Sequence, residues 1–268
     1  MLLRLKLFYL FLFLKLYIYG IEPPSNNAVA TSLGGANVTY NNAYSIVNNP
    51  AGLAFAQNAI SINGSNYYGI SDYSTLNLSF CKAVKTTQIG FSFQSSPLAS
   101  QNKHQLHLAL SKKISKNISA GVGLNYHNFT NEDSYYKPSH SLSISTGLYY
   151  QINSKINIGF AAKNFVRNTL IELPQEKIAS EFRIGGDYLV SDGLKIYSDF
   201  IQREDSPLDF AAGIELKQDK FFFRGGFSKE STIALGMGYK TAQYLIYFGA
   251  TYHNQLGISP SLGLDYAF

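Results

Sequence analysis

Five histidines and one cysteine are the side chains here best suited to hold a metal or act as nucleophile or base. His104 and His107 stand three apart. On an extended strand that spacing turns them to opposite faces, so they make no metal pair. His127 and His140 are separate, and His253 falls near a turn. No serine, histidine and acid assemble into a set with the roles that acyl transfer needs. Gly236-Met237-Gly238 is the small face of a strand, not a phosphate loop, which would have to open a helix. Cys81 has no second cysteine to pair with and lies far from the N-terminus, so it carries neither an internal disulfide nor a lipid on the first mature residue. It sits on the small, polar face of its segment and reads as inert. The chain is read as a non-enzyme with no catalytic, cofactor or metal site.

That leaves isolated charges. Glu181, Arg183, Asp187, Asp209, Glu215, Arg224, Lys240 and Asp265 each fall on the non-apolar face of an alternating segment. The plain reading is a mutually paired polar interior; the sharper one is a selectivity lining. The densest basic patch, Lys112-Lys113 with Lys116, falls at a predicted turn. With a net charge of only +5, spread along the chain, no nucleic-acid partner is expected.

The elements that must position these faces are strands. The C-terminal segment alternates strictly: Ile258, Pro260, Leu262, Leu264, Tyr266 and Phe268 against Ser259, Ser261, Gly263, Asp265 and Ala267. A period of two is a strand with one apolar and one polar face. The same pattern recurs, broken by short polar turns such as Ser191-Asp192-Gly193. It predicts strands at 58–68, 74–84, 86–96, 103–113, 117–129, 139–152, 155–166, 178–190, 193–203, 208–218, 220–228, 231–240, 243–253 and 256–268. That is an even number of about fourteen, each of roughly the length a tilted membrane strand needs. The two candidates are a secreted β-sandwich and a transmembrane barrel. Charged residues are only 15% of the chain, against roughly 25% in ordinary soluble domains, and Tyr and Phe number 20 and 19. A sandwich would turn charge outward to water. Here the second face is Gly, Ser, Asn and Ala with sparse charges, which fits a crowded lumen. The expectation is an all-β, closed antiparallel transmembrane barrel.

Residues 1–20 carry Arg4 and Lys6 ahead of an apolar core, Leu7 to Leu14, interrupted at Lys15. This is too short and broken for a secure membrane span, and reads as a cleavable export signal ending near Gly20. Residues 21–57 do not alternate. They hold Leu33-Gly34-Gly35-Ala36 and Asn49-Pro50-Ala51-Gly52-Leu53, where Pro50 fixes its own backbone and biases Asn49 to an extended shape. Two readings stand: a leader loop with a helical turn, or a plug tucked into the barrel mouth.

Those two motifs, with the closing strand, resemble the start and end of FadL-superfamily proteins, particularly the PorV/PorQ branch. The resemblance implies a fourteen-stranded outer-membrane barrel over 58–268 and an N-terminal hatch over 21–57 centred on Gly34, Gly35, Asn49, Pro50, Ala51, Gly52 and Leu53. A strand ending on Leu264, Tyr266 and Phe268 resembles the C-terminal signal read by the barrel-assembly machinery. For the PorV/PorQ branch it implies an accessory role in type IX protein secretion or surface assembly, with secretion-system or secreted proteins as partners. For the FadL branch it implies passive transport of hydrophobic small molecules. Either places the chain in the bacterial outer membrane, surrounded by its lipid. The candidate external loops, 131–138 and 167–177, are short for both roles.

Overall fold

The computed structural model describes residues 27–98, 101–131, 138–169, 178–204, 206–229 and 233–268. The expected export signal at 1–20, and most of the two candidate external loops, lie outside them. Fourteen strands follow one another round a closed antiparallel barrel, β1 pairing with both β2 and β14. They are β1 Ala59–Asn66, β2 Ser74–Val84, β3 Thr87–Leu98, β4 Gln101–Lys113, β5 Ile118–Asn131, β6 Ser139–Gln151 and β7 Ile156–Thr169. The second half is β8 Glu181–Ser191, β9 Leu194–Arg203, β10 Asp209–Gln218, β11 Phe221–Ser228, β12 Ile233–Lys240, β13 Tyr244–His253 and β14 Gly257–Ala267. Every strand expected from the alternation is present, with ends shifted by a few residues. The largest shifts lengthen β7 to Thr169 and start β8 at Glu181.

Closure explains the alternation. Each strand is polar on the inside and apolar on the outside, the inverse of a water-soluble protein. Asn63, Asn77, Ser92 and Ser119 are fully buried inside, while Leu108, Leu235 and Ile258 stand 52%, 63% and 59% exposed outside. An outer surface of that chemistry requires an apolar surrounding. Aromatics flank it at both ends. At the end of the tight turns, Phe268 stacks on Phe80 and on Tyr266, and Tyr266 packs on Tyr244. At the other end Phe210 packs between Phe200 and Phe227. On β13 the two levels are marked by Tyr244 and Tyr252; at about 3.4 Å per residue and a tilt near 40° they are separated by about 20 Å along the barrel axis.

The ladder has one large defect. Between Ile144 and Thr146 of β6 the partner on β7 jumps from Val166 to Ala162, so Lys163, Asn164 and Phe165 stand opposite Ser145 alone. Asn164 takes a positive φ of 54°, which Asn tolerates better than most residues. Among the described residues β7 has no ladder partner on β8 beyond Lys163, which pairs with Glu181. A β-bulge of this kind re-aims a strand and ends its pairing.

Candidate functional site

Residues 27–57 run inside the barrel and reach every strand of it. The helix α1, Ala28–Ser32, is capped by Asn27, whose Oδ1 accepts from Val29 N at 2.9 Å. Gly34 and Gly35 end it at φ of 66° and 92°, values a side chain would oppose. The chain then crosses the lumen to α2, Ser45–Asn48, and a 3-10 turn at Pro50–Phe55. Asn49 organises this turn. Its Oδ1 accepts from Ala51 N at 3.1 Å, and its Nδ2 donates to Val38 O at 2.9 Å and to Leu148 O on β6 at 3.3 Å. Pro50 opens the turn, where its missing N–H costs nothing. Ala51 O accepts from Ser111 on β4 and Ser119 on β5. Gly52 has no room for a side chain, since a Cβ would lie 2.8 Å from Asn41 Oδ1. Leu53 is buried with Ile46, Ala43, Cys81 and Ala109.

The wall makes space for this segment with glycine. Gly90, Gly121, Gly147 and Gly159 on β3 to β7, and Gly213, Gly226, Gly236 and Gly249 on β10 to β13, each face hatch atoms where a Cβ would collide. A Cβ at Gly121 would lie 2.6 Å from Pro50 O, and one at Gly226 would lie 2.6 Å from Gly34 N. The girdle sits a few residues from the tight-turn end of each strand, so the hatch fills that half of the barrel.

Between the two glycine arcs, on β8 and β9, charge replaces close packing. Asp199 Oδ2 accepts from the backbone N–H groups of Asn37 and Val38 at 2.8 and 2.9 Å. Arg183 Nη1 donates to Gly35 O at 2.7 Å and Asn37 Oδ1 at 2.8 Å, and lies 3.3 Å from Asp199 Oδ2. Both side chains are buried. Asp199 was not among the lumen candidates; its place on the alternating polar face was the available signal. Removing one partner of a buried ion pair costs about 3–5 kcal/mol, because the other is left uncompensated. Asp199→Ala should therefore free the hatch locally: hydrogen exchange at the Asn37 and Val38 amides should lose its protection while strand amides keep theirs.

The other candidate charges divide into groups. Glu181 gathers Lys163 at 3.1 Å, Arg183 at 3.3 Å and Arg203 at 3.0 Å, and Arg203 also lies 3.8 Å from Asp209. Asp187 pairs with Lys195 at 3.3 Å. Arg224 Nε donates to Glu215 at 2.6 Å, and its Nη2 to Tyr40 Oη of the hatch at 3.3 Å. Burial, reinforced by nearby Glu215, pushes the Tyr40 hydroxyl above its ordinary pKa and keeps it neutral. Asp265 accepts from Tyr247 at 2.6 Å. Lys240 departs from this pattern. It holds the inward register of β12 but stands exposed at the strand's end, because the strand stops there and the side chain reaches water.

His127 and His140 are separate, but His127 is not isolated. A relay of buried amides and hydroxyls runs Gln94–Gln105–His127–Ser143–Asn164, with contacts of 2.9, 2.8, 3.1 and 2.6 Å. It ends on the bulged residue of β7. Sequence spacing could not find it, since its members come from five strands whose register only closure defines. His107 lies edge-on to His127 with ring centroids 6.2 Å apart, while His104 stacks on Phe93 on the outer face. Among the described residues no group of three or more His, Cys, Asp or Glu could hold a metal ion. Cys81 is buried against the hatch, its thiol donating to Gln57 O at 3.1 Å.

Solved structures share this closed antiparallel barrel fold. A monoaromatic hydrocarbon channel, CymD, superposes with a TM-score of 0.70 at 13% identity, covering 90% of this chain and 97% of that one. The fold is FadL-like. The Pseudomonas putida toluene transporter TodX gives a TM-score of 0.68 at 10% identity, covering 92% and 99%. A Pseudomonas aeruginosa FadL homologue gives 0.63 at 13% identity, covering 93% and 100%. No protein-family model matches the chain. No curated protein matches it either. At these identities the likeness shows fold alone, and the narrower PorV/PorQ assignment does not follow from it.

Proposed function

We propose that the protein is a non-enzymatic outer-membrane channel for hydrophobic small molecules, exported by the signal at residues 1–20. The secretion-accessory reading gives way to this one, because the superposing structures are a monoaromatic hydrocarbon channel and a toluene transporter. The observation that carries the proposal is the broken wall at β7. The hatch obstructs the axial path, and the lumen beyond it is lined by Ser, Asn, Gln and His, a poor route for an apolar solute. Among the described residues the wall is interrupted where β7 bulges and Ala179 and Ser180 precede the start of β8. A solute leaving there enters lipid without crossing water. Side-chain contacts rather than a ladder close the gap: Asn164 Nδ2 donates to Ala179 O at 3.3 Å and Ser180 Oγ to Asn164 O at 3.1 Å. These bonds can open without breaking the barrel.

The test is uptake of toluene by cells whose outer membrane lacks other hydrophobic channels. Cells carrying the protein should take it up faster than cells without it, and show no gain for a sugar of similar size. Equal uptake of toluene by both would overturn the proposal.

A further inference from the structure

The tight-turn end of the barrel carries a collar of cations. Lys82 and Lys85 flank the β2–β3 turn, Lys112 and Lys116 the β4–β5 turn, Lys155 lies in the β6–β7 turn and Lys220 in the β10–β11 turn. All six are exposed, and among the described residues none of them holds an ion pair. Among the described residues the tight turns hold two carboxylates, Asp192 in the β8–β9 turn and Asp219 in the β10–β11 turn. A surface that gathers unpaired cations in this excess over carboxylates is one whose counter-charge comes from outside.

We propose that this collar binds the headgroups of anionic phospholipids in the leaflet at the tight-turn end; the inference rests on the membrane-barrel reading above. Three observations choose lipid over an acidic protein. The collar runs round much of the circumference, from β2 through β7 and again at β10–β11, which suits an annulus of lipid better than a single docked partner. It lies just beyond the aromatic belt: Lys82 is two residues past Phe80, about 7 Å along the strand, and Lys220 directly precedes Phe221. Belt aromatics sit at the boundary of headgroup and acyl chain, so ammonium groups one step further out meet phosphates. Lys82 and Lys112 also hold the outward register of their strands, beside lipid-facing Phe80 and Leu110, where a lysine stem lies along apolar surface and its charge reaches outward.

The test uses the full-length protein in phosphatidylcholine vesicles containing spin-labelled phosphatidylglycerol or spin-labelled phosphatidylcholine. The fraction of each label immobilised at the protein surface gives a relative association. Phosphatidylglycerol should be preferred about threefold at low salt, and the preference should fall toward unity by about 0.5 M salt as the charges are screened. Replacing all six lysines (Lys82→Gln, Lys85→Gln, Lys112→Gln, Lys116→Gln, Lys155→Gln, Lys220→Gln) should lower it by at least half. The salt titration of the unaltered chain keeps the proposal testable if that variant fails to insert. Insertion is followed separately by heat-modifiable migration, so loss of the barrel itself is distinguishable from loss of lipid selectivity. Equal association of the two lipids with the unaltered, inserted chain overturns the proposal, as does a preference undiminished by the six substitutions; the first outcome would turn attention to an acidic protein at that end.

Discussion

Gly226→Val should turn a plugged barrel into a conducting one. The hatch passes so close to β11 at this point that the new Cβ would collide with the Leu33 carbonyl carbon and lie 2.6 Å from Gly34 N and Leu33 O. Backbone atoms cannot yield by a rotamer change, and Gly34 is itself held at a positive φ where an added Cβ would lie 2.7 Å from the Phe227 carbonyl. Overpacking of this kind costs about 1–3 kcal/mol, and about 1.4 kcal/mol is tenfold in an equilibrium. The population with the hatch undocked should therefore rise about tenfold to a hundredfold. In planar bilayers the variant should show ion conductance well above that of the unaltered protein. The control is the neighbouring glycine. Gly225 faces outward, and a Cβ there meets nothing nearer than 3.7 Å, so Gly225→Val should leave conductance unchanged. If both variants remain closed, the hatch is not what obstructs the lumen. If both conduct, the effect belongs to the strand and not to the hatch.

The same glycines show what the sequence made legible. Alternation exposed the fourteen strands because a strand between lipid and lumen must keep its two faces chemically distinct over its whole length. The inward small residues were visible too, but only as a small face. Why Gly226 and Gly121 are glycine depends on which hatch atoms arrive opposite them, and those contacts join residues about 70 to 190 positions apart through backbone atoms that carry no sequence signature. The hatch motif was legible at Asn49-Pro50, where capping and a fixed φ are local properties. The Arg183–Asp199 clamp was half legible. Arg183 stood out as a charge on a polar face, while its partners are hatch carbonyls and amides that any residue could supply. The bulge was the least legible feature. A β7 strand that runs two residues long against β6 still reads as a continuous strand, and only Asn164, a residue suited to positive φ, marked the place.

That bulge is where passage through the wall can be stopped. With Cys81→Ser removing the native thiol, Asn164→Cys and Ser180→Cys place one thiol on each side of the gap. The two residues already touch through the Ser180 hydroxyl and the Asn164 carbonyl at 3.1 Å, so a disulfide or a short thiol crosslinker can bridge them. Oxidation should reduce toluene uptake to the level of cells lacking the protein, and reductant should restore it. The reversal separates closure of the gap from misfolding, since a misassembled barrel would not recover on reduction. A bridge across a continuous part of the wall gives the comparison: Ser79 and Ser92 face each other in the β2–β3 ladder with hydroxyls 3.0 Å apart, and cysteines there should leave uptake unaffected by oxidation. Uptake that persists with the β7–β8 gap bridged would mean that the solute leaves elsewhere. The hatch would then have to move for transport, and Gly226→Val should raise toluene uptake together with conductance. If the solute leaves through the wall, conductance alone should rise, because an opened axial path offers an apolar molecule only a polar lumen.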